Sequence, residues 1–173
     1  MEQCELAVTG YGIIYDSAKM KFTKWNYGEN FSSFATYDDT YGDVCKCSFV
    51  DDPIHKDDPT KREQYIGSMV FYDSEATSKY DRFQVSVYNP TNAKVKVAYK
   101  DCKWGGPKGA NWVDEAKNCY VDIAAHSWGT LKCNISYLYF NETEYTFVLS
   151  FHSDAQMTGD FLITSVYGLP AEK

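Results

Sequence analysis

Residues 82–100 read RFQVSVYNPTNAKVKVAYK, and this stretch decides the fold class. Phe83, Val85 and Val87 alternate with polar or amphipathic side chains, so they share one face of an extended strand. The Asn-Pro-Thr-Asn sequence at 89–92 predicts a turn. Residues 94–100 then alternate again, with Val95, Val97 and Tyr99 on one face and lysines on the other. The stretch therefore predicts two strands, each with one face toward a core.

Similar short runs separated by polar turns occur along the rest of the chain, and helical periodicity is nearly absent. Further strands are predicted at 68–72, 120–123, 129–136, 145–151 and 161–167, with less regular ones near Ile13, near Phe34 and at 44–49. Eight or more short strands predict an all-β fold, an antiparallel two-sheet β-sandwich. We assign residues 1–168 to one β-sandwich domain and 169–173 to the start of a C-terminal linker.

The composition restricts the class of partner. The chain has 173 residues, 17% of them aromatic, and 15 are Tyr. Tyr hydroxyls need partners when buried, so we expect many of these rings at surfaces or rims; the alternative is that Tyr simply suits half-buried strands. A formal net charge of −7 argues against a nucleic-acid partner. No stretch reaches the length of a membrane-spanning helix, so we expect no membrane partner.

Six cysteines permit three disulfides, but their spacing does not assign the pairs. Cys45 and Cys47 lie two apart in a strand-like run, so they face the same way and are badly placed to bond each other. Cys102 and Cys119 bracket a Gly- and Trp-containing segment, and we expect a bond between them to staple its base. The alternative is that all six thiols are reduced.

Three motifs follow one another in a familiar order. A strand ends in Tyr88-Asn89-Pro90, a turn of small residues leads to Trp128 and an amphipathic strand, and an apolar strand occupies 159–166. This order resembles the jelly-roll carbohydrate-binding modules of bacterial plant-cell-wall-degrading enzymes. The resemblance implies a secreted, monomeric, non-catalytic jelly roll. Such a module targets an enzyme in the same parent chain to a polysaccharide such as β-glucan, xyloglucan or xylan.

The closing strand departs from the resembled pattern at Thr164, where the family usually has an Asp that helps to hold a structural calcium ion. Thr164 offers no carboxylate, so we predict no cofactor at this strand. The acidic stretch at 51–58 offers oxygen ligands of the kind that calcium prefers, but we interpret it as a solvated loop.

Sugar rings pack on aromatic faces, and their hydroxyls take hydrogen bonds from polar side chains, so a glycan site combines both. The Gly-rich segment 103–112 carries Trp104 and Trp112, which we predict to be the stacking platform, with Trp25 and Tyr27 as secondary contacts. The alternative is that one of the two Trp rings plugs the end of the sandwich.

A second location for the site is the polar surface of a sheet. Gln84, Tyr120 and His152 are the candidate ligand contacts there, beside Tyr88 and Lys96. The resembled motif uses Trp128 structurally, and we therefore expect Trp128 in the core.

Two other functional classes stay open. A β-sandwich glycoside hydrolase needs two carboxylates beside a cleft; Glu142 and Glu144 are candidates, but we interpret them as solvated acids of a turn. A cell-surface adhesion or protein-interaction module would suit the sequons at Asn30, Asn134 and Asn141. The sequence as a whole favours carbohydrate binding without catalysis.

Overall fold

The computed structural model describes residues 12–17, 22–24, 33–38, 42–49, 54–55, 58–70, 79–100, 119–134, 141–155 and 157–169. Apart from single helical residues at Ser17 and Lys79, every regular element in these ranges is a β-strand, and the strands form two antiparallel sheets. The predicted all-β sandwich is therefore confirmed. Within the described ranges no helix has the length and apolarity needed to cross a membrane.

The larger sheet contains seven strands, in which the closing strands β12 and β13 follow one another along one edge of β7 and β10 pairs with its other edge. Its members are β1 (Ile13–Tyr15), β3 (Ser33–Asp38), β4 (Gly42–Phe49), β7 (Arg82–Asn89), β10 (Ser127–Asn134), β12 (Gly159–Thr164) and β13 (Val166–Leu169). β13 thus extends to Leu169, the residue at which we place the start of the linker.

The smaller sheet contains six strands in the order β2, β6, β11, β8, β9, with β5 added beside β6. Its members are β2 (Phe22–Lys24), β5 (Ile54–His55), β6 (Asp58–Val70), β8 (Val95–Lys100), β9 (Tyr120–Ile123) and β11 (Asn141–Ser153). The turn at 89–93 carries the chain from the larger to the smaller sheet, and the turn at 124–126 carries it back.

The core lies between the two sheets and is largely aromatic and β-branched. As predicted, Val95, Val97 and Tyr99 of the smaller sheet and Phe83, Val85 and Val87 of the larger sheet are fully buried. Rings bridge the sheets at two places. The ring centroid of Phe151 lies 5.2 Å from that of Phe49 and 5.1 Å from that of Phe161. The centroids of Phe83 and Tyr99 lie 5.2 Å apart, and all three pairs have edge-to-face geometry. Such pairs add about 0.5–1.5 kcal/mol each beyond the area they bury.

The side chain of Asn89 holds the Tyr-Asn-Pro turn in place through hydrogen bonds. Its side-chain carbonyl accepts hydrogen bonds from the amide and hydroxyl of Thr91, at 2.9 and 2.7 Å. Its amide group donates to the carbonyl of Ala93 in the same turn and to those of Ile123 and Ala124 in the other turn. One buried amide thus fixes the local turn and ties together the two crossings between the sheets.

The predicted strand at 161–167 is interrupted by a β-bulge. Leu162 pairs with Tyr88 and Ile163 with Val87, but Tyr167 pairs with Gln84, so the closing strand has one residue more than β7 at this point. The bulge falls at Thr164 and Ser165, between β12 and β13.

Two strand predictions are wrong in extent. The strand predicted at 68–72 begins at Asp58 and ends at Val70, and the one predicted at 145–151 begins at Asn141. Glu142 and Glu144 therefore lie in β11 rather than in a turn. β6 and β11 pair with each other over most of their length. Their backbone hydrogen bonds continue into polar sequence whose composition is typical of a loop.

The predicted bond between Cys102 and Cys119 is wrong, because Cys119 is bonded to Cys133. The turn at 124–126 brings the segment before β9 and the end of β10 together, with a Cα–Cα distance of 5.2 Å that suits a disulfide. Cys45 and Cys47 are buried on one face of β4 and form no disulfide, which confirms that they do not bond each other. Cys4 and Cys102 lie outside the described residues.

Trp128, which we expected in the core, lies on the outer face of the larger sheet. Along β10 the inward positions are Gly129, Leu131 and Cys133, and a side chain at Gly129 would collide with Ile123. Trp128 is half-buried beside Tyr88, with ring centroids 5.6 Å apart. It belongs to a small second cluster around Val44.

Replacing Asn89 by Asp should lower the free energy of unfolding by about 2–4 kcal/mol. A carboxylate retains the acceptor for Thr91 but faces the carbonyls of Ala93, Ile123 and Ala124 without a proton to donate. Urea unfolding measures the change. Asn92→Asp is the matched control, because exposed Asn92 only accepts a hydrogen bond from His126 and an Asp preserves it. Equal midpoints for both variants would contradict the role of Asn89.

Removing the disulfide with Cys119→Ala and Cys133→Ala should lower the free energy of unfolding by about 3 kcal/mol, because the bond joins residues 14 apart in sequence. Denaturation of the parent protein in reductant should give a similar loss. Reductant added to the double variant is the control for the other thiols. A double variant as stable as the parent would contradict the assignment of this bond.

Stability should fall as the pH rises above about 8.5, the ordinary pKa of a thiol in an unfolded chain. Burial raises the pKa of Cys47, and a hydrogen bond and charge repulsion from Cys45 raise it further. The folded protein therefore keeps a proton that the unfolded chain releases, so the stabilisation is complete at neutral pH and is lost toward alkaline pH. Urea unfolding of the parent and of Cys47→Ala between pH 7 and about pH 9.5 tests this. The slope should be smaller in the variant, and identical slopes would refute the assignment.

Candidate functional site

The candidate site lies on the outer face of the smaller sheet and follows from the alternation along β8. Since Val95, Val97 and Tyr99 point into the core, Lys96 and Ala98 lie on the opposite face. Across the sheet, Lys96 pairs with Asp122 of β9 and with His152 of β11. Ala98 pairs with Tyr120 of β9 and with Ser150 of β11.

These pairings form two parallel rows of side chains, which we call the outer patch. Its members are Lys96, Ala98, Tyr120, Asp122, Ser150 and His152. On the far side of β11 the rows continue at the register positions Glu63 and Tyr65 of β6. The patch therefore reaches across four neighbouring strands of the smaller sheet.

Tyr120 is the exposed aromatic ring of the patch. Its side chain is 49% exposed at the edge strand β9. The Lys96 ammonium lies 4.7 Å from the ring centroid, a cation–π contact that fixes the ring against the sheet. A ring held in this way, with half its surface in solvent, can receive a second flat apolar surface.

The floor of the patch is formed by small side chains. Ala98 and Ser150 are fully buried, although both lie on the outer face. Among the described residues the Ser150 hydroxyl has no hydrogen-bond partner. Because this hydroxyl is also closed off from solvent, it belongs to the floor and does not reach a ligand that lies on the patch.

One row of the patch carries charges of both signs. Exposed Asp122 and half-buried Lys96 carry opposite charges next to half-buried His152. The described part of the chain contains no cluster of His, Cys, Asp and Glu residues that could hold a metal ion. The patch can therefore offer hydrogen bonds and a ring surface to a polar ligand.

The structure brings together two of the three sheet residues that the sequence singled out. Tyr120 and His152 both lie in the outer patch, each paired with a residue of β8. Gln84 lies in β7 of the larger sheet, fully buried, with neither polar side-chain atom hydrogen-bonded to a described residue. Gln84 thus does not share a face with Tyr120 and His152.

The four aromatic residues proposed from the loops, Trp104, Trp112, Trp25 and Tyr27, lie outside the described residues. The strand ends from which their segments leave the smaller sheet are described. Segment 101–118 joins the end of β8 to the residue before β9, and β2 ends at Lys24 in the same sheet. These predicted contacts are therefore attached to strands of the smaller sheet.

Ser150, Ala98 and Asp122 were not found by sequence reasoning. A serine, an alanine and an aspartate in strands carry no distinctive signal by themselves. Only the register of β8 with β9 and β11 places them beside Tyr120 and His152.

No protein-family model matches the chain, and no curated protein matches it. Solved structures do match. A family 11 carbohydrate-binding module of a Clostridium thermocellum cellulosomal cellulase is 14% identical, with 96% of this chain and 98% of that chain covered and a TM-score of 0.50. The xylan-binding domain of family 22 is 12% identical, with the same coverage and a TM-score of 0.52.

A family 27 module of Caldicellulosiruptor saccharolyticus, solved with mannohexaose, is 10% identical. It covers 95% of this chain and 99% of its own length, with a TM-score of 0.50. At such identities the comparison shows the fold alone. The chain has the jelly-roll β-sandwich of carbohydrate-binding modules, as the order of its motifs predicted.

Proposed function

We propose that this domain binds a polysaccharide on the outer patch and catalyses no reaction. The observation that carries the proposal is the exposed ring of Tyr120 on the same sheet face as the charged side chains of Lys96 and Asp122. A sugar ring supplies both complements, a C–H face for the aromatic ring and hydroxyls for the charged groups. The shared fold adds support, because the similar structures are named for binding xylan or were solved with a mannan oligosaccharide.

The loop aromatic residues extend this proposal. Trp104 and Trp112 belong to the segment between β8 and β9, and this segment returns to the sheet immediately before Tyr120. We propose that these two rings stack on the ligand above the patch, with Trp25 and Tyr27 at the β2 side. The ligand would then lie across the strands.

The biological role that we propose is targeting. The domain would be extracellular and monomeric, attached to a catalytic domain in its parent chain, and would direct that enzyme to plant-cell-wall β-glucan, xyloglucan, xylan or a similar polymer. Glycoside hydrolysis requires two carboxylates beside the scissile bond. Across the sheet Asp122 is paired with Lys96 rather than with a second carboxylate, which favours binding over catalysis.

The decisive experiment compares Asp122→Asn with Asp81→Asn by calorimetric titration with soluble β-glycans and by thermal unfolding. Asp81 is the matched control because it is also exposed and lies directly before β7 of the other sheet. Asp122→Asn should weaken binding about 3- to 10-fold, because a charged acceptor for sugar hydroxyls becomes a neutral one, and should leave the melting temperature unchanged. Asp81→Asn should leave both binding and the melting temperature unchanged.

Tyr120→Ala should weaken binding about 30-fold, the effect of losing an aromatic anchor, with little change in melting temperature. Trp104→Ala and Trp112→Ala should act in the same direction if the loop lies over the patch. Tyr88→Ala, on the other sheet, is the control for loss of a Tyr ring. Normal binding by Tyr120→Ala and Asp122→Asn together would refute the site, and release of reducing sugars by the parent protein would refute the non-catalytic role.

A further inference from the structure

The closing strand contains a hydrogen-bond network at the place where the resembled family uses a calcium-binding Asp. Thr164 and Ser165 form the β-bulge between β12 and β13, and both are buried. Ser17, which follows β1, is fully buried beside them. The three hydroxyls lie where β1, β4, β7 and the closing strands meet.

The Thr164 hydroxyl supplies a hydrogen-bond acceptor to β7, the strand next to it. At the bulge the ladder between the closing strand and β7 is interrupted, and the Thr164 hydroxyl accepts the main-chain amide of Ser86 at 2.9 Å. The same hydroxyl donates its proton to the carbonyl of Ser165 at 3.1 Å. The side chain thus replaces the main-chain acceptor that the bulge removes.

Ser165 and Ser17 continue the network to the other neighbours. The Ser165 hydroxyl accepts the main-chain amide of Ser17 at 2.8 Å, and the Ser17 hydroxyl donates to the carbonyl of Asp43 in β4 at 2.8 Å. These contacts span 148 and 26 residues of sequence, so they tie distant strands as a metal ion would.

These groups do not fit calcium. A calcium ion takes about 6–8 oxygen ligands, several of them carboxylates. Here the carbonyls of Ser165 and Asp43 already accept hydroxyl protons, and the side-chain oxygens in the network are neutral. Within the described ranges no group of acidic side chains is assembled for a metal.

We propose that the hydroxyls of Ser17, Thr164 and Ser165 take over the structural role of calcium at the closing strand, so that this domain folds without an ion there. Hydrogen bonds between neutral groups would then hold the closing strand to its neighbours, in place of a bound ion. The inference does not depend on which ligand the outer patch binds.

Thermal unfolding of the whole chain in excess EDTA and in millimolar calcium tests the metal half of the proposal. The melting temperature should differ by less than about 1 °C, whereas an ion at a hundred times its Kd would raise it by about 5 °C or more. A rise should be checked in a variant with Asp51, Asp52, Asp57 and Asp58 changed to Asn. A rise that disappears there assigns the ion to the acidic stretch and supports the proposal; a rise that persists overturns it.

Thr164→Val tests the other half, because valine has the same shape but no hydroxyl. Its melting temperature should fall by about 3 °C or more, since a buried amide loses its acceptor. Thr158→Val, at an exposed position, is the matched control and should melt with the parent. Ser165→Ala, which removes only the acceptor for Ser17, should give a smaller fall if Thr164→Val does not fold. Parent-like melting of both Thr164→Val and Ser165→Ala overturns the proposal.

Discussion

The packing of aromatic rings between the two sheets is the interaction on which the rest of the structure depends. Phe151 projects from the smaller sheet onto the contacting rings of Phe49 and Phe161 in the larger one, and Tyr99 packs against Phe83 in edge-to-face geometry. These rings fix which face of each strand is inside. Because side chains alternate along a strand, fixing the inner face also fixes every residue of the outer face.

The outer patch is a direct consequence of that constraint. Lys96 and Ala98 face outward because Val95, Val97 and Tyr99 are committed to the core, and the pairing with β9 and β11 then brings Tyr120 and Ser150 to the same face. A register slip of one residue would turn the whole set inward. The site is rigid for the same reason that the core is.

Buried polar groups in this domain differ in how they are satisfied. Those of Asn89 and Thr164 are hydrogen-bonded within the chain and hold a turn or a bulge in place. Among the described residues, the Ser150 hydroxyl and the side-chain amide of Gln84 are buried without a partner. Because burial also closes these groups off from solvent, recognition of a ligand depends on exposed groups such as Tyr120 and Asp122.

The sequence by itself determined the all-β fold class and the inward faces of β7 and β8, and it showed that Cys45 and Cys47 do not bond each other. Alternation and spacing are local properties, so the sequence alone reveals them. It also offered Tyr120 and His152 as contacts. Only the tertiary structure decided that Gln84 lies in the other sheet, that Cys119 bonds Cys133, and that Trp128 lies outside the core. A period of two tells which residues share a face, but which strands become neighbours depends on contacts between segments far apart in the chain.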